Sequence, residues 1–335
     1  VHKILAGLLA DSDYEIKISA AVALGKRGDD AAIPELMRIV KEKNLRRIAR
    51  AISILCRMKV RRALPAIVPY LSPDYRLGLR RTAASCLGTM GDPAALDYLL
   101  PYLKDDKYQM RKTTAYALWK LENPGAGPAL IESLKDPVAI VRKMAAYSLG
   151  KLEEKRAVAP LKKMLTDTAE SDHLYAGLAL VECGIPVNPE IFLKGLNARD
   201  FFYRGTAIEG LAALGNPETA GAIIPLLEDR NLWVRSLAAE KLVELKLEES
   251  VEPLKTALFD QSALVRAYAA AGLLNMGYTE GRTVLSTLLK SPDHKEREAA
   301  AVALKYLEDK PREQLLPLAL KDPSRIIRQL AEEAR

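Results

Sequence analysis

Two apolar patterns alternate along the chain. In one, small residues stand at the third, fourth and sixth positions after a basic residue and leucine at the seventh, as in Arg142-Lys143-Met144-Ala145-Ala146-Tyr147-Ser148-Leu149. That spacing places the small residues on one side of a helix. The other pattern is leucine-rich and often begins with proline, at Pro34, Pro65, Pro128, Pro160 and Pro253. A first-turn amide has no intrahelical acceptor, so proline is tolerated there and the segment is predicted as a second helix. Glycine, or Gly91-Asp92-Pro93 and Gly215-Asn216-Pro217, separates the two.

The pattern repeats with a period of 31 residues. Arginine recurs at Arg80, Arg111, Arg142, Arg204, Arg235, Arg266, Arg297 and Arg328, and His173 fills the gap in register. Ile48 and Lys17 continue the ladder upstream after a one-residue slip. Six residues ahead of the ladder position stand Asp11, Asp74, Asp105, Asp136, Asp167, Asp229, Asp260 and Asp322. Neither helix of a unit buries its apolar stripe alone, so the repeats must stack. The expectation is an all-α, right-handed α-solenoid of about eleven antiparallel helix pairs, one continuous array over residues 1–335, irregular around 168–198. Within that stretch Asp172-His173 replaces the usual Val/Ile-Arg, and Gly184-Ile185-Pro186-Val187-Asn188-Pro189 lengthens the turn. The last unit carries Glu332 and Arg335 in place of apolar residues, which fits a polar cap or a clipped array.

The run Asp-x-x-x-x-Val/Ile-Arg-x-x-Ala-Ala-x-x-Leu-Gly-x-Leu-Gly-Asp, clearest at Asp74 to Asp92 and Asp136 to Leu152, resembles the HEAT-like repeat of the phycobilisome-lyase type. The resemblance covers essentially the whole chain and is weakest in the second and sixth units. It implies that the arginine-bearing helices line a concave face and the leucine-rich helices a convex one.

The ladder is expected to be structural: the aspartate caps helix amides, and the arginine bridges to an aspartate of its own or the neighbouring unit. Its members are Asp74/Arg80, Asp105/Arg111, Asp136/Arg142, Asp229/Arg235, Asp260/Arg266 and Asp322/Arg328. Catalytic signatures are missing from the sequence. The three histidines, His2, His173 and His294, form no His-Glu pair like that of the HEAT-like diiron hydroxylases, and there is no HExxH, P-loop or GxGxxG. Chromophore attachment, known for some lyase-type relatives, has no residue signature here. No cofactor and no metal site is expected.

Positions three and two before the ladder residue, and one, two, five and nine after it, are not needed for packing and should form an exposed stripe. Chance would place about four of the aromatic residues there. The stripe holds Tyr14, Tyr108, Tyr116, Tyr147, Tyr175, Phe201, Phe202, Trp233, Tyr268 and Tyr306. Exposed tyrosine and tryptophan suit binding, since they bring contact area with little rotamer entropy to lose. The stripe's charge is segregated. The first five units contribute Lys26, Arg46, Arg50, Arg57, Arg81, Lys112, Lys120, Lys143 and Lys151 against Glu15. The later units contribute Glu170, Glu182, Glu209, Glu240, Glu244, Glu298 and Glu333 against Lys295 and Arg325. The net charge of +7 therefore conceals a dipole.

A duplex-binding groove would be basic throughout, so nucleic acid is a disfavoured partner. The pattern points to a non-catalytic scaffold holding a protein or peptide of mixed charge, with an acidic segment on units one to five and a basic one on units six to eight. The alternatives are nucleic-acid binding through the basic first half, using Tyr108, Tyr116 and Tyr147, or service as an accessory subunit of a lyase-type enzyme. No apolar run is long enough to span a membrane. Cys56, Cys86 and Cys183, odd in number and widely spaced, predict buried thiols and a cytoplasmic setting.

Overall fold

A computed structural model describes residues 2–167 and 170–335. The side chains of His2, Asp167, Glu170 and Ser171 lie outside that description, and with them the ladder Asp167 and the stripe Glu170. The described residues form helices and turns without a strand.

Eleven helices carry the ladder positions, one per repeat: α1 (Tyr14–Lys26), α2 (Leu45–Arg57), α3 (Leu77–Met90), α4 (Tyr108–Lys120), α5 (Ala139–Lys151), α6 (Glu170–Glu182), α7 (Phe201–Leu214), α8 (Leu232–Leu245), α9 (Ala263–Asn275), α10 (His294–Leu304) and α11 (Arg325–Glu333). A helix over His2–Leu8 packs on α1, and each of the first ten ladder helices is followed by a second helix, shorter than the ladder helix in all but the tenth repeat. Several second helices begin or continue as 3-10 turns, at Asp30–Ala32, Val68–Leu71 and Gly221–Glu228 among others. Proline explains part of this: Pro69 and Pro225 lack the amide needed for regular α-helical bonding.

Five of the ladder helices start on side-chain caps. Asp13, Asn44, Asp200, Asn231 and Asp293 each accept a hydrogen bond from a first-turn amide. Their ends are fixed by position more than by residue type. Eleven residues past the ladder position the backbone is left-handed in each of the first nine repeats. Gly28, Gly91, Gly184, Gly215 and Gly277 occupy five of those positions, and Lys59, Glu122, Glu153 and Lys246 the other four. The glycine signal in the sequence therefore marked only about half of the helix ends that adopt this conformation.

The chain divides into two compact units, Val1–Ile185 and Pro186–Arg335, separating within the long Gly184–Pro189 turn. In the first unit α1 to α6 pack in order, each against the next; in the second, α7 to α11 do the same. The alanine pairs and following leucine form the core: Ala83, Ala84 and Leu87, Ala145, Ala146 and Leu149, Ala269, Ala270 and Leu273 are all fully buried. Small residues let consecutive ladder helices touch backbone to backbone. A Cβ on Gly88 would lie 2.6 Å from the Cα of Ala117, and one on Gly150 would lie 2.7 Å from that of Ala179. Ser148 Oγ donates across the α4–α5 seam to the carbonyl of Ala115 at 2.9 Å. All three cysteines are free and buried. No helix among the described residues is long and apolar enough to cross a membrane.

Candidate functional site

The ladder is a row of ion pairs between successive repeats, largely buried except at Arg266–Glu296. Arg111 holds Asp136 with two bonds, at 2.6 and 2.9 Å, and Arg204 holds Asp229 at 2.6 and 2.8 Å. Arg80 reaches Asp105, Arg235 reaches Asp260, and Arg297 reaches Asp322 in the same sense. Each arginine also donates backward to a loop carbonyl: Arg111 to Asp105, Arg235 to Asp229, Arg266 to Asp260 and Arg328 to Asp322. One guanidinium thus ties its own loop to the next unit's aspartate. A planar fork of donors suits this, where a point-charge ammonium would not.

The aspartate's role differs from the expected cap. Its carboxylate accepts from the amide two residues on, at Lys107, Val138, Asn231, Ser262 and Ser324, and so turns the loop. The residue that donates this amide, not the aspartate, is the N-cap of the helix. Burial pushes the Asp136 and Asp229 carboxyls up, but bonds from the arginine and the loop amide outweigh it and hold both below the usual carboxylate range.

Two substitutions in the ladder were not anticipated. Arg142 pairs with Asp172 at 2.7 Å, and Arg266 with Glu296 at 2.7 Å. Both acids sit immediately before a ladder residue, and in the tenth repeat Ser291 occupies the usual aspartate position and donates to Glu296 at 2.6 Å. An acid one residue before the ladder position is the sequence signal that marks such a replacement. The first ladder aspartate of the expected set, Asp74, pairs locally with Ser72, since the preceding repeat offers Ile48 in the arginine position.

The stripe is exposed only in part. On α2, Arg46, Arg50, Ser53 and Arg57 face solvent along one side, a run of about 16 Å at helical rise. Lys26 on α1 and Arg81 on α3 are exposed as well, Arg81 donating to Thr113 of α4 at 3.0 Å. Lys112, Lys120 and Lys151 are half-buried. Lys143 is a correction: at 8% exposure it is interred, its ammonium 3.8 Å from Asp172.

Between α4 and α5 the aromatic residues assemble. Trp119 meets Tyr116 and Tyr147 edge-on, each with ring centroids 5.2 Å apart. Lys120 Nζ lies 4.0 Å from the Trp119 ring centroid and Lys151 Nζ 5.4 Å from that of Tyr147. Lys151 also pairs with Glu182 at 2.7 Å. Trp119 falls eight residues past the ladder position and was missed by the stripe; its placement three residues after Tyr116 and next to Lys120 was the available signal. Tyr108 is exposed on α4, whereas Tyr14 is half-buried beneath the guanidinium of Arg38, 4.5 Å from its ring centroid.

Several of the later stripe residues are corrections. Tyr175 and Tyr268 are buried, at 7% and 4% exposure, as is Glu209. Tyr268 stacks edge-on with the half-buried Tyr306 at 5.5 Å, and the Tyr306 hydroxyl donates to Glu240 at 2.8 Å. Burial, reinforced by the Glu240 carboxylate, drives both phenols well above the usual tyrosine range. Lys241 sits between Glu240 and Glu244, at 3.5 and 3.1 Å. Burial lowers the Lys241 ammonium's pKa, but these carboxylates raise it further, leaving it above the ordinary lysine value. Elsewhere in the second unit Phe201, Phe202 and Trp233 cluster at the starts of α7 and α8.

Stacked antiparallel helix pairs, joined by a repeating Arg–Asp tie, define the α-solenoid class of repeat proteins. The family is specified by direct matches: HEAT repeats over residues 46–119, 99–180, 189–266 and 252–334, and the PBS lyase HEAT-like repeat over 16–42. The chain belongs to the HEAT-repeat family. Similar solved structures include the CpcE–CpcF complex of phycocyanin lyase from Nostoc, 21% identical, covering 76% of this chain and 92% of that one, with a TM-score of 0.46. Human deoxyhypusine hydroxylase is 23% identical over 75% and 98%, with a TM-score of 0.36. A model of the full-length AP-3 complex is 14% identical over 98% and 70%, with a TM-score of 0.45. No curated protein matches.

Proposed function

We propose that this chain is a non-catalytic scaffold whose first unit holds an acidic segment of a protein partner. The observation that carries the proposal is the exposed arginine run of α2, continued by Arg81 and leading to the Tyr116–Trp119–Tyr147 cluster with its overlying lysines. Guanidinium groups recognise carboxylates with directional paired bonds, and an aromatic edge-to-face cluster supplies a rigid apolar anchor beside them. The stripe's carboxylates from the sixth repeat onward are a weaker match to a basic segment. Glu240 accepts from Tyr306 and lies beside Lys241, Glu244 pairs with Lys241, and Glu182 pairs with Lys151. The proposal is accordingly narrower than a mixed-charge groove: recognition rests on the basic face.

The test uses the full chain as bait in lysate from its source, followed by identification of the captured protein and measurement of its affinity for purified bait. Arg50→Glu, Arg57→Glu and Arg81→Glu combined should weaken binding by at least about a hundredfold, while Lys104→Glu, on a second helix, should leave it unchanged. Equal binding by both variants contradicts the proposal. The rival reading is single-stranded nucleic acid stacked on Trp119. It predicts retardation of an oligonucleotide at low salt that persists near physiological ionic strength; loss of all retardation there dismisses it.

A further inference from the structure

The second unit carries an exposed apolar step that neither the ladder nor the core requires. Phe202, Leu232 and Trp233 are 51%, 50% and 40% exposed, large values for three such residues side by side. The Phe202 ring lies 4.2 Å from that of Phe201 and 5.7 Å from that of Trp233, centroid to centroid. The step comes from two consecutive repeats with matching sequence, Arg199-Asp200-Phe201-Phe202 and Arg230-Asn231-Leu232-Trp233. None of the other nine repeats has arginine five residues before the ladder position together with apolar residues three and two before it.

The step is held in place. The Trp233 indole lies against Gly205, where a Cβ would stand 2.1 Å from its ring, so only glycine leaves room for that pose. Asp200 and Asn231 are used as helix caps, each accepting a first-turn amide. The two arginines are exposed, and Arg230 Nη2 donates to the carbonyl of Arg199 at 3.1 Å, which draws both loops into one basic edge beside the rings. A rigid tryptophan and phenylalanine next to guanidinium groups have the composition of an interface hot spot.

We infer that the Phe202–Leu232–Trp233 step is a second docking surface, for a peptide segment of a partner protein that pairs a large apolar side chain with a neighbouring carboxylate. The apolar side chain covers the rings, and the carboxylate meets Arg199 and Arg230. Charge complementarity selects this occupant over a neutral apolar segment, which would leave the basic edge unmatched. The inference does not depend on the basic face of the first unit.

The full chain is panned against a phage-displayed library of random dodecapeptides, and a synthetic peptide of the enriched sequence is titrated in a Trp119→Phe background, where Trp233 is the sole tryptophan. Enriched sequences should place Leu, Phe or Trp within a few residues of Asp or Glu, and binding should perturb Trp233 emission. Trp233→Ala should weaken the peptide at least about tenfold, and the exposed Arg199→Glu/Arg230→Glu pair, which leaves the core untouched, should do the same. Enrichment of sequences without acid, no enrichment, or binding indifferent to the arginine pair overturns the inference. Adsorption to phosphatidylserine vesicles in place of peptide selection overturns it too.

Discussion

In the first unit Tyr116 and Tyr147 flank Trp119 edge-on beneath the ammonium groups of Lys120 and Lys151. In the second, Tyr268 and Tyr306 meet edge-on over the carboxylate of Glu240. Positions two, five and nine past the ladder residue supply most of both clusters. Their surroundings separate them. Rings topped by cations present an electron-rich face and a positive rim to a partner, whereas phenols that surround a half-buried carboxylate satisfy one another and close the surface. An aromatic residue in a stripe position is thus a docking candidate in one place and a seal in the other.

The comparison is broken most severely by removing one member of a ladder pair. Arg204→Met should cost about 3–5 kcal/mol, because Asp229 would remain buried without its partner. Arg266→Met should cost under about 1 kcal/mol, since Glu296 is partly exposed. Urea-unfolding midpoints of the two variants decide whether burial governs the ladder's worth; equal losses would contradict it.

Acid sharpens the same contrast. The Asp136 and Asp229 carboxyls are held below their unfolded pKa, so their contribution is complete above the ordinary carboxylate range and is lost as pH falls through the lowered folded values. The stability gap between wild type and Arg111→Met should therefore shrink on acidification. A gap independent of pH from neutrality down to the acid transition would show that the pair's charge is not what stabilises the fold.

Next comes the seal. Tyr268 and Tyr306 have folded pKa values raised above the unfolded one, so the stability they add is present below about pH 10 and declines as pH rises past it. Ultraviolet titration should find at least two of the thirteen tyrosines resisting ionisation until the chain unfolds. Glu240→Gln should bring them down while costing about 1–3 kcal/mol. Early titration of every tyrosine in the wild type would refute the closed arrangement.

The smallest effects are expected at the helix ends. Lys59, Glu122, Glu153 and Lys246 adopt a left-handed backbone that glycine holds at the same position in neighbouring repeats. Glycine at each should stabilise by about 1 kcal/mol or less, where relief of strain exceeds the added unfolded-state entropy. A calorimetric series of the four variants measures it.

These contrasts mark what the sequence could tell. The period, the helix pairs and the Arg–Asp ladder were legible because each repeat faces the same packing problem, so solutions recur in register, as at Arg111, Arg204 and Arg235. Burial of the stripe was not legible, because it depends on which neighbour fills the space beside each position. Position two past the ladder residue is exposed as Arg50 but buried as Tyr175 and Tyr268, and position one is exposed as Arg81 but buried as Lys143 beside Asp172. Replacement acids such as Asp172 and Glu296 escaped for a related reason: an arginine fork reaches any carboxylate at the right distance, whatever its register. Trp119 lay one position outside a stripe defined by spacing alone, though its ring bridges two ladder helices.

The central claim is that the basic face of the first unit contacts an acidic stretch of a protein, and site-specific photo-crosslinking in source cells tests it most directly. A photoreactive residue replacing Arg81 should yield a single protein adduct whose cross-linked peptide is rich in aspartate and glutamate, while the same group replacing the exposed Tyr98 on the second helix should yield none. Equal labelling from both positions, or an adduct to nucleic acid from position 81, would contradict the account.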